Sequence, residues 1–188
     1  MSDRITSALP GAHFAGFVTV AEAGPRGMIT LRGDLSSAAI SRAVKDATGL
    51  DMPAQRRATQ AGDMAVLWMS PDELLVTLPY AQAGAMAQKL AQALAGEFAT
   101  VVNMSDARAV FTLQGAGVFD ALAKICPVDF SDFAQGDIRR TRAAQVAAAV
   151  WMSGADQVTL LCFRSVAQYM FDLLSAVAMP GSEPSLYA

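Results

Sequence analysis

The 188-residue sequence has one histidine, His13, and two cysteines, Cys126 and Cys162. A zinc-type centre draws three or four ligands from His, Cys, Asp and Glu at compatible spacing. With one imidazole and no Cys-x-x-Cys pair, the chain offers no such set. Each cysteine stands alone in an apolar pattern, which predicts a reduced, buried thiol rather than a disulfide. Nucleophilic catalysis needs a nucleophile held against a base. The sole imidazole lies ahead of the first solid element, where a surface role is expected. Charged residues make up 16% of the chain, against a usual share of about 25%. The net charge of −3 provides no basic face for nucleic acid. No apolar run approaches the ~18 residues of a membrane span; the longest is Val146 to Met152. Met1-Ser2-Asp3-Arg4 does not begin a basic-then-apolar leader. The expectation is a cytoplasmic protein with neither a membrane nor a nucleic acid as partner.

Apolar side chains are abundant, at 53% hydrophobic residues. Two explanations fit. The surface is sticky and expects a partner, or the 37 alanines raise the count while adding little burial energy.

The chain also repeats itself. Its only tryptophans open the same tripeptide, Trp68-Met69-Ser70 and Trp151-Met152-Ser153. Thr30-Leu31-Arg32-Gly33 matches Thr112-Leu113-Gln114-Gly115 with one loop insertion between the anchors. In the same register Met86 falls on Tyr169 and Leu90 on Leu173. The first copy reads as a strand at 28–31 and a helix capped by Asp34 and ended by Gly49. A polar loop follows at 51–63. A hairpin of strands at 64–69 and 74–78 turns at Ser70-Pro71-Asp72-Glu73. A helix at 81–95 and a closing strand at 100–104 complete it. The second copy reads as a strand at 109–113 and a helix from Val118 to Ile125 ended by Pro127. A charged excursion over 128–141 leads to strands at 146–152 and 158–163. The last helix turns Val166, Tyr169, Leu173 and Val177 inward. Ala143 to Val150 is alanine-rich enough to suggest helix, but the repeat register places a strand there from about Gln145. The fold class is therefore α+β: two tandem ferredoxin-like β-α-β-β-α halves from an internal duplication, with a closing strand visible only in the first. The expected boundaries are a loose N-terminal segment at 1–13, a first half at 14–106, a second half at 107–179 and a mobile tail at 180–188. Phe14 to Val20 is an extra strand, and the whole forms one compact unit.

Few residues carry chemistry. Asp72-Glu73 are turn residues rather than an acid–base pair, which would need burial or a like-charge neighbour. Gly115-Ala116-Gly117 has two glycines of a dinucleotide fingerprint but Asp120 at the third position, so it is expected to serve a tight strand-to-helix turn. Arg139, Arg140 and Arg142 form the one concentrated charge. They pair with Asp129, Asp132 and Asp137, or meet acidic groups on a partner, or clamp a small anion. Arg164 is a surface or cap-region residue, with a partner interface as the other option.

Five stretches in order resemble one family. They are Arg26 to Asp34, Trp68 to Val76, Ser105 to Phe111, Gly136 to Arg142 and Phe163 to Tyr169. Together they resemble the gamma subunit of heterotetrameric sarcosine oxidase, over about residues 11–179. The resemblance implies an oxidoreductase complex of alpha, beta, gamma and delta subunits. Such a complex oxidises sarcosine to glycine, makes hydrogen peroxide and passes the one-carbon unit to tetrahydrofolate. It implies NAD and folate handling on alpha, FAD on beta, FMN at the alpha–beta contact and zinc on delta. For gamma it implies no cofactor, no catalytic residue and a fold similar to part of the aminomethyltransferase family.

The expected function is thus a non-catalytic subunit contributing to assembly and stability, with Arg139, Arg140, Arg142 and Arg164 as candidate partner-interface residues. The alternative is a stand-alone regulatory protein binding an amino acid or folate, with Gly115 to Gly117 as its only loop.

Overall fold

The computed structural model describes residues 5–187; the opening Met1 to Arg4 and Ala188 lie outside it. Two short strands come first, β1 (His13–Ala15) and β2 (Thr19–Glu22). The next stretch runs β3 (Arg26–Gly33), α1 (Ala38–Thr48), β4 (Ala58–Ala61), β5 (Met64–Ser70), β6 (Glu73–Pro79), α2 (Ala83–Ala93) and β7 (Ala99–Asn103). The last runs β8 (Arg108–Gln114), α3 (Val118–Ala123), β9 (Ile138–Ala143), β10 (Val146–Gly154), β11 (Gln157–Phe163) and α4 (Ala167–Val177).

The chain divides into two compact units. One is Arg26–Ser105; the other joins the residues up to Pro25 to those from Asp106 onward. The first unit has a five-stranded antiparallel sheet in the order β4-β5-β6-β3-β7. The second has six antiparallel strands in the order β1-β2-β8-β11-β10-β9. Four strands of each sheet follow the ferredoxin-like pattern, with a pair of helices against one face. The duplicated α+β architecture holds.

The strand missing from the second copy is supplied by the N-terminus. β7 lies beside β3 with Thr100 opposite Arg32. β2 lies beside β8 with Thr19 opposite Gln114. The two closing strands therefore hold the same place, and the second arrives from the other end of the chain. This corrects the boundary expected at residue 14: residues 13–22 belong to the second unit. The backbone N–H and C=O groups along the free edge of β8 need partners, and β2 is the strand that meets them.

Both stretches expected as loops contain an edge strand. β4 lies within 51–63 and pairs with β5, and β9 runs from the charged excursion and pairs with β10. Each copy is thus β-α-β-β-β-α, with its closing strand after the run in the first and far ahead of it in the second. Arginines suit an edge because charge discourages further strand addition.

In the first unit α1 begins at Ser37, whose hydroxyl accepts the Ala39 N–H at 3.2 Å. Asp34 was the expected cap, but its Oδ1 accepts the N–H and hydroxyl of Ser36 at 2.9 and 2.7 Å, forming the turn before the helix. Gly49 ends α1 in the left-handed conformation at φ 75°, and its N–H reaches the Lys45 carbonyl. Ile40, Val44 and Leu90 pack on Ile29, Leu31, Val66 and Leu74 to make one core. Burying each such side chain contributes about 1.5–3 kcal/mol. The alternate residues, including Met28, Leu67 and Leu75, are also buried, so this sheet does not present a plain polar face.

In the second unit the core gathers Phe111, Leu113, Leu122, Val150, Leu160, Met170 and Leu174. The fully buried face of α4 is Ala167, Met170 and Leu174; of the expected Val166, Tyr169, Leu173 and Val177, three are partly buried against the same core, and Tyr169 is 46% exposed. The repeat register causes this difference. Ser70 faces Glu73 at the tip of the first hairpin, and Gly154 faces Gln157 at the tip of the second. Leu67 pairs with Leu75 as Trp151 pairs with Thr159. The two Trp-Met-Ser tripeptides are one residue out of step, which turns Trp68 and Trp151 to opposite faces of their sheets.

Neither terminus is loose over its described residues. Arg164 Nη2 donates to the Thr6 and Ser7 carbonyls at 2.8 and 2.9 Å, and the Ser7 hydroxyl donates to Glu22 at 3.0 Å. At the other end Asp120 Oδ1 accepts the N–H groups of Leu186 and Tyr187 at 2.7 and 3.2 Å. These bonds tie the described parts of the expected lead-in and tail to the rest of their unit.

Candidate functional site

The expected arginine cluster is split by the pleat of β9. Successive side chains on a strand point to opposite faces. Arg139 lies with Thr141 on the helix side, its guanidinium 5.3 Å from the Phe133 ring centre and 3.6 Å from Asp137. It also donates to the Ile138 carbonyl at 2.9 Å. Arg140 and Arg142 are exposed and point the other way. The three do not converge on a single anion. Arg164 is occupied by the carbonyls of the N-terminal segment, so it acts as a clasp within the chain.

The glycine turn is filled from within. Gly115 has φ +135°, a backbone that side chains rarely adopt. A Cβ on Gly117 would lie 2.8 Å from the Phe17 ring. Phe17 thus covers the loop where a phosphate or amino acid would have to approach, and Lys124 Nζ sits 5.1 Å over the same ring. The helix that follows has only six residues.

Asp72 serves the β5–β6 turn. It accepts the Ser70 hydroxyl at 2.6 Å and pairs with Arg32 at 2.6 Å. The Ser70 bond first, and Arg32 next, hold its carboxyl below the usual aspartate range. It is therefore an ionised turn residue rather than a proton donor. Cys126 and Cys162 are both free and buried. Burial pushes their thiols up, to about 12 and about 11 respectively, which withdraws the nucleophilic thiolate at neutral pH. His13 is exposed at the start of β1. Among the described residues no group of three or more His, Cys, Asp and Glu could hold a metal, and no helix is long and apolar enough to cross a membrane.

Sequence reasoning passed over one residue. Phe98 precedes β7 as Phe17 precedes β2, in the matching stretches Phe17-Val18-Thr19-Val20 and Phe98-Ala99-Thr100-Val101. Phe17 is covered, whereas Phe98 is fully exposed and Val102 on the same edge strand is 42% exposed. The recurrence of Phe-x-Thr-Val was the available signal, both for the shared closing strand and for the bare ring.

The fold defines the class first: a duplicated ferredoxin-like α+β protein. The glycine cleavage system aminomethyltransferase T from Bartonella henselae shares this fold, with a TM-score of 0.62 at 12% identity over 85% of this chain and 46% of that one. The family follows from the sequence. Residues 32–179 match the model of the sarcosine oxidase, gamma subunit family. Sarcosine oxidase subunit gamma from Arthrobacter sp is 31% identical over 81% of this chain and 76% of its own length. A chain of the heterotetrameric sarcosine oxidase from Corynebacterium sp. U-96 superposes with a TM-score of 0.80 at 27% identity, covering 89% of this chain and 87% of that one. The chain belongs to the sarcosine oxidase gamma subunit family.

Proposed function

We propose that this chain is a non-catalytic gamma subunit of a heterotetrameric sarcosine oxidase, acting in assembly and stability. The reaction of that complex would be oxidation of sarcosine to glycine with formation of hydrogen peroxide, and transfer of the one-carbon unit to tetrahydrofolate. FAD, FMN, NAD and zinc would reside on the alpha, beta and delta chains. The observation that carries the reading is the match along nearly the full length to a chain of a heterotetrameric sarcosine oxidase. The raised thiols and the ring of Phe17 over the glycine turn support it, because they leave those groups no evident chemical task.

A structural subunit must offer surface to its neighbours. Phe98, just ahead of the edge strand β7, and Val102 on it suit a partner subunit with an apolar pocket; buried aromatic anchors dominate such contacts. Arg140 and Arg142 suit carboxylates on a partner. Arg139 packs against Phe133 and Arg164 holds the Thr6 and Ser7 carbonyls, so those two also serve the chain itself.

The test is co-expression with the alpha, beta and delta chains, then size exclusion followed at flavin absorbance. Co-elution with yellow protein supports the reading. Elution alone, while the other chains form an active complex, overturns it and favours a stand-alone ligand-binding role.

A further inference from the structure

The C-terminal segment is held by contacts that read as recognition of a peptide. Asp120 on α3 is 5% exposed, and its Oδ1 accepts two consecutive backbone N–H groups, those of Leu186 and Tyr187. The Tyr187 ring stands edge-on to Phe119 and Phe130, with ring centres 6.3 and 6.1 Å away. Its hydroxyl accepts the Phe130 N–H at 3.3 Å. Phe119, Phe130 and Phe133 pack on one another at 5.3 to 5.8 Å, so the aromatic wall is formed by the chain behind the tyrosine. Upstream, Lys124 Nζ donates to the Val177 carbonyl and the Ser182 hydroxyl at 2.8 and 2.9 Å.

The contacts at Leu186 and Tyr187 use the backbone of the tail and one aromatic side chain. Leu186 itself is 66% exposed. A buried carboxylate that bonds adjacent main-chain amides recognises an extended segment of almost any sequence. An aromatic wall with an N–H aimed at a phenol oxygen then selects tyrosine. If the tail leaves, Asp120 loses both amide partners and the Phe130 N–H loses the Tyr187 hydroxyl. The seat is therefore matched to the segment that occupies it.

We propose that the surface formed by Asp120, Phe119 and Phe130 is a binding site for an extended tyrosine-bearing peptide, with the chain's own C-terminal segment as its resident ligand. The occupied site fixes the segment between α3 and β9, which carries no helix or strand of its own.

The test uses the full chain and amide hydrogen exchange read residue by residue. In the unaltered chain the amides of Leu186, Tyr187 and Phe130 are protected. The double variant Leu186→Gly, Tyr187→Gly raises exchange at Phe130 about tenfold, as expected for one lost hydrogen bond and local opening. It leaves Leu160 in β11 unchanged. A synthetic peptide of residues 182–188 restores Phe130 protection in a saturable manner, and the same peptide with alanine for tyrosine does not. If the double variant fails to fold, Tyr187→Phe removes only the phenol oxygen and must still raise exchange at Phe130 alone. The proposal is overturned if Leu186 and Tyr187 exchange at free-chain rates in the unaltered protein. It is also overturned if the peptide gives no protection, or if Tyr187→Phe leaves Phe130 unchanged.

Discussion

Phe17 and Phe98 occupy the same place in the two units, each just ahead of the strand that closes its sheet, yet only Phe17 is covered. Phe17 lies against Gly117 and beneath Lys124; Phe98 touches solvent over its whole ring. The same element thus serves folding in one unit and is left open in the other. Phe17→Ala should destabilise the chain by on the order of 1–3 kcal/mol, less than a fully buried phenylalanine because the ring is half-buried. Phe98→Ser should leave the chain's own stability within about 0.5 kcal/mol. It should weaken capture by the partner chains by more than about 1 kcal/mol. Urea unfolding reads the first pair of values and pull-down titration the last. Equal capture of Phe98→Ser and the unaltered chain would remove β7 from the interface.

The register of α4 gives a second test. Met170 is fully buried and Tyr169 is 46% exposed. Met170→Ala should cost about 2–5 kcal/mol, by loss of burial and creation of a cavity. Tyr169→Ala should cost about 0.5 kcal/mol or less. Equal losses in urea would restore the register set by aligning the tryptophans.

That register shows how far the sequence could be read. The duplication, the hairpins and the helices were legible because their apolar periodicity and turn residues agree. The slip arose because Trp-Met-Ser is a conspicuous string, whereas the physical repeat lies in which residue faces the helices. Ala83 with Ala167, and Leu90 with Leu174, carry that signal, but alanine and leucine are too common here to stand out. The strand β9 was hidden because Ile-Arg-Arg-Thr-Arg-Ala lacks apolar alternation. The pairing of β2 with β8 was hidden because it joins residues about half the chain apart, and the recurring Phe-x-Thr-Val is the one trace of it in the sequence. The arginines were found as a run, and only the pleat shows that they diverge. Asp120 was noticed solely as a wrong residue in a glycine motif, and its role needs the tail in three dimensions.

Arg164 and the N-terminal segment make a third case. Arg164→Ala removes two charge-assisted hydrogen bonds to the Thr6 and Ser7 carbonyls. Such bonds contribute about 1.5–3 kcal/mol each at most, and part is regained from water. The expected result is faster proteolytic cleavage ahead of β1 with little change in global unfolding. Unchanged cleavage would contradict the clasp.

Alkaline stability follows from the thiols. Burial raises the Cys126 pKa from its ordinary value of 9.0 to about 12. Between those values the unfolded chain has released the proton and the folded chain still holds it. Folding stability is therefore complete below pH 9 and falls as pH rises towards 12. The slope for one such group approaches about 1.4 kcal/mol per pH unit. Cys126→Ala should show a shallower decline above pH 9 when urea midpoints are compared, and identical slopes would refute the assignment. Neither thiol should react with a maleimide at neutral pH until the chain unfolds.

The most direct test of the account is omission. The alpha, beta and delta chains would be co-expressed with and without this one. Bound flavin and oxygen uptake on sarcosine would then be measured on the purified complexes. A non-catalytic assembly subunit predicts a lower yield of flavin-loaded complex on omission, with uptake per flavin in the surviving complex nearly unchanged. Full yield without this chain would contradict the assembly role. Full yield of complex with uptake abolished, then restored by adding the chain back, would show that it contributes to the reaction itself.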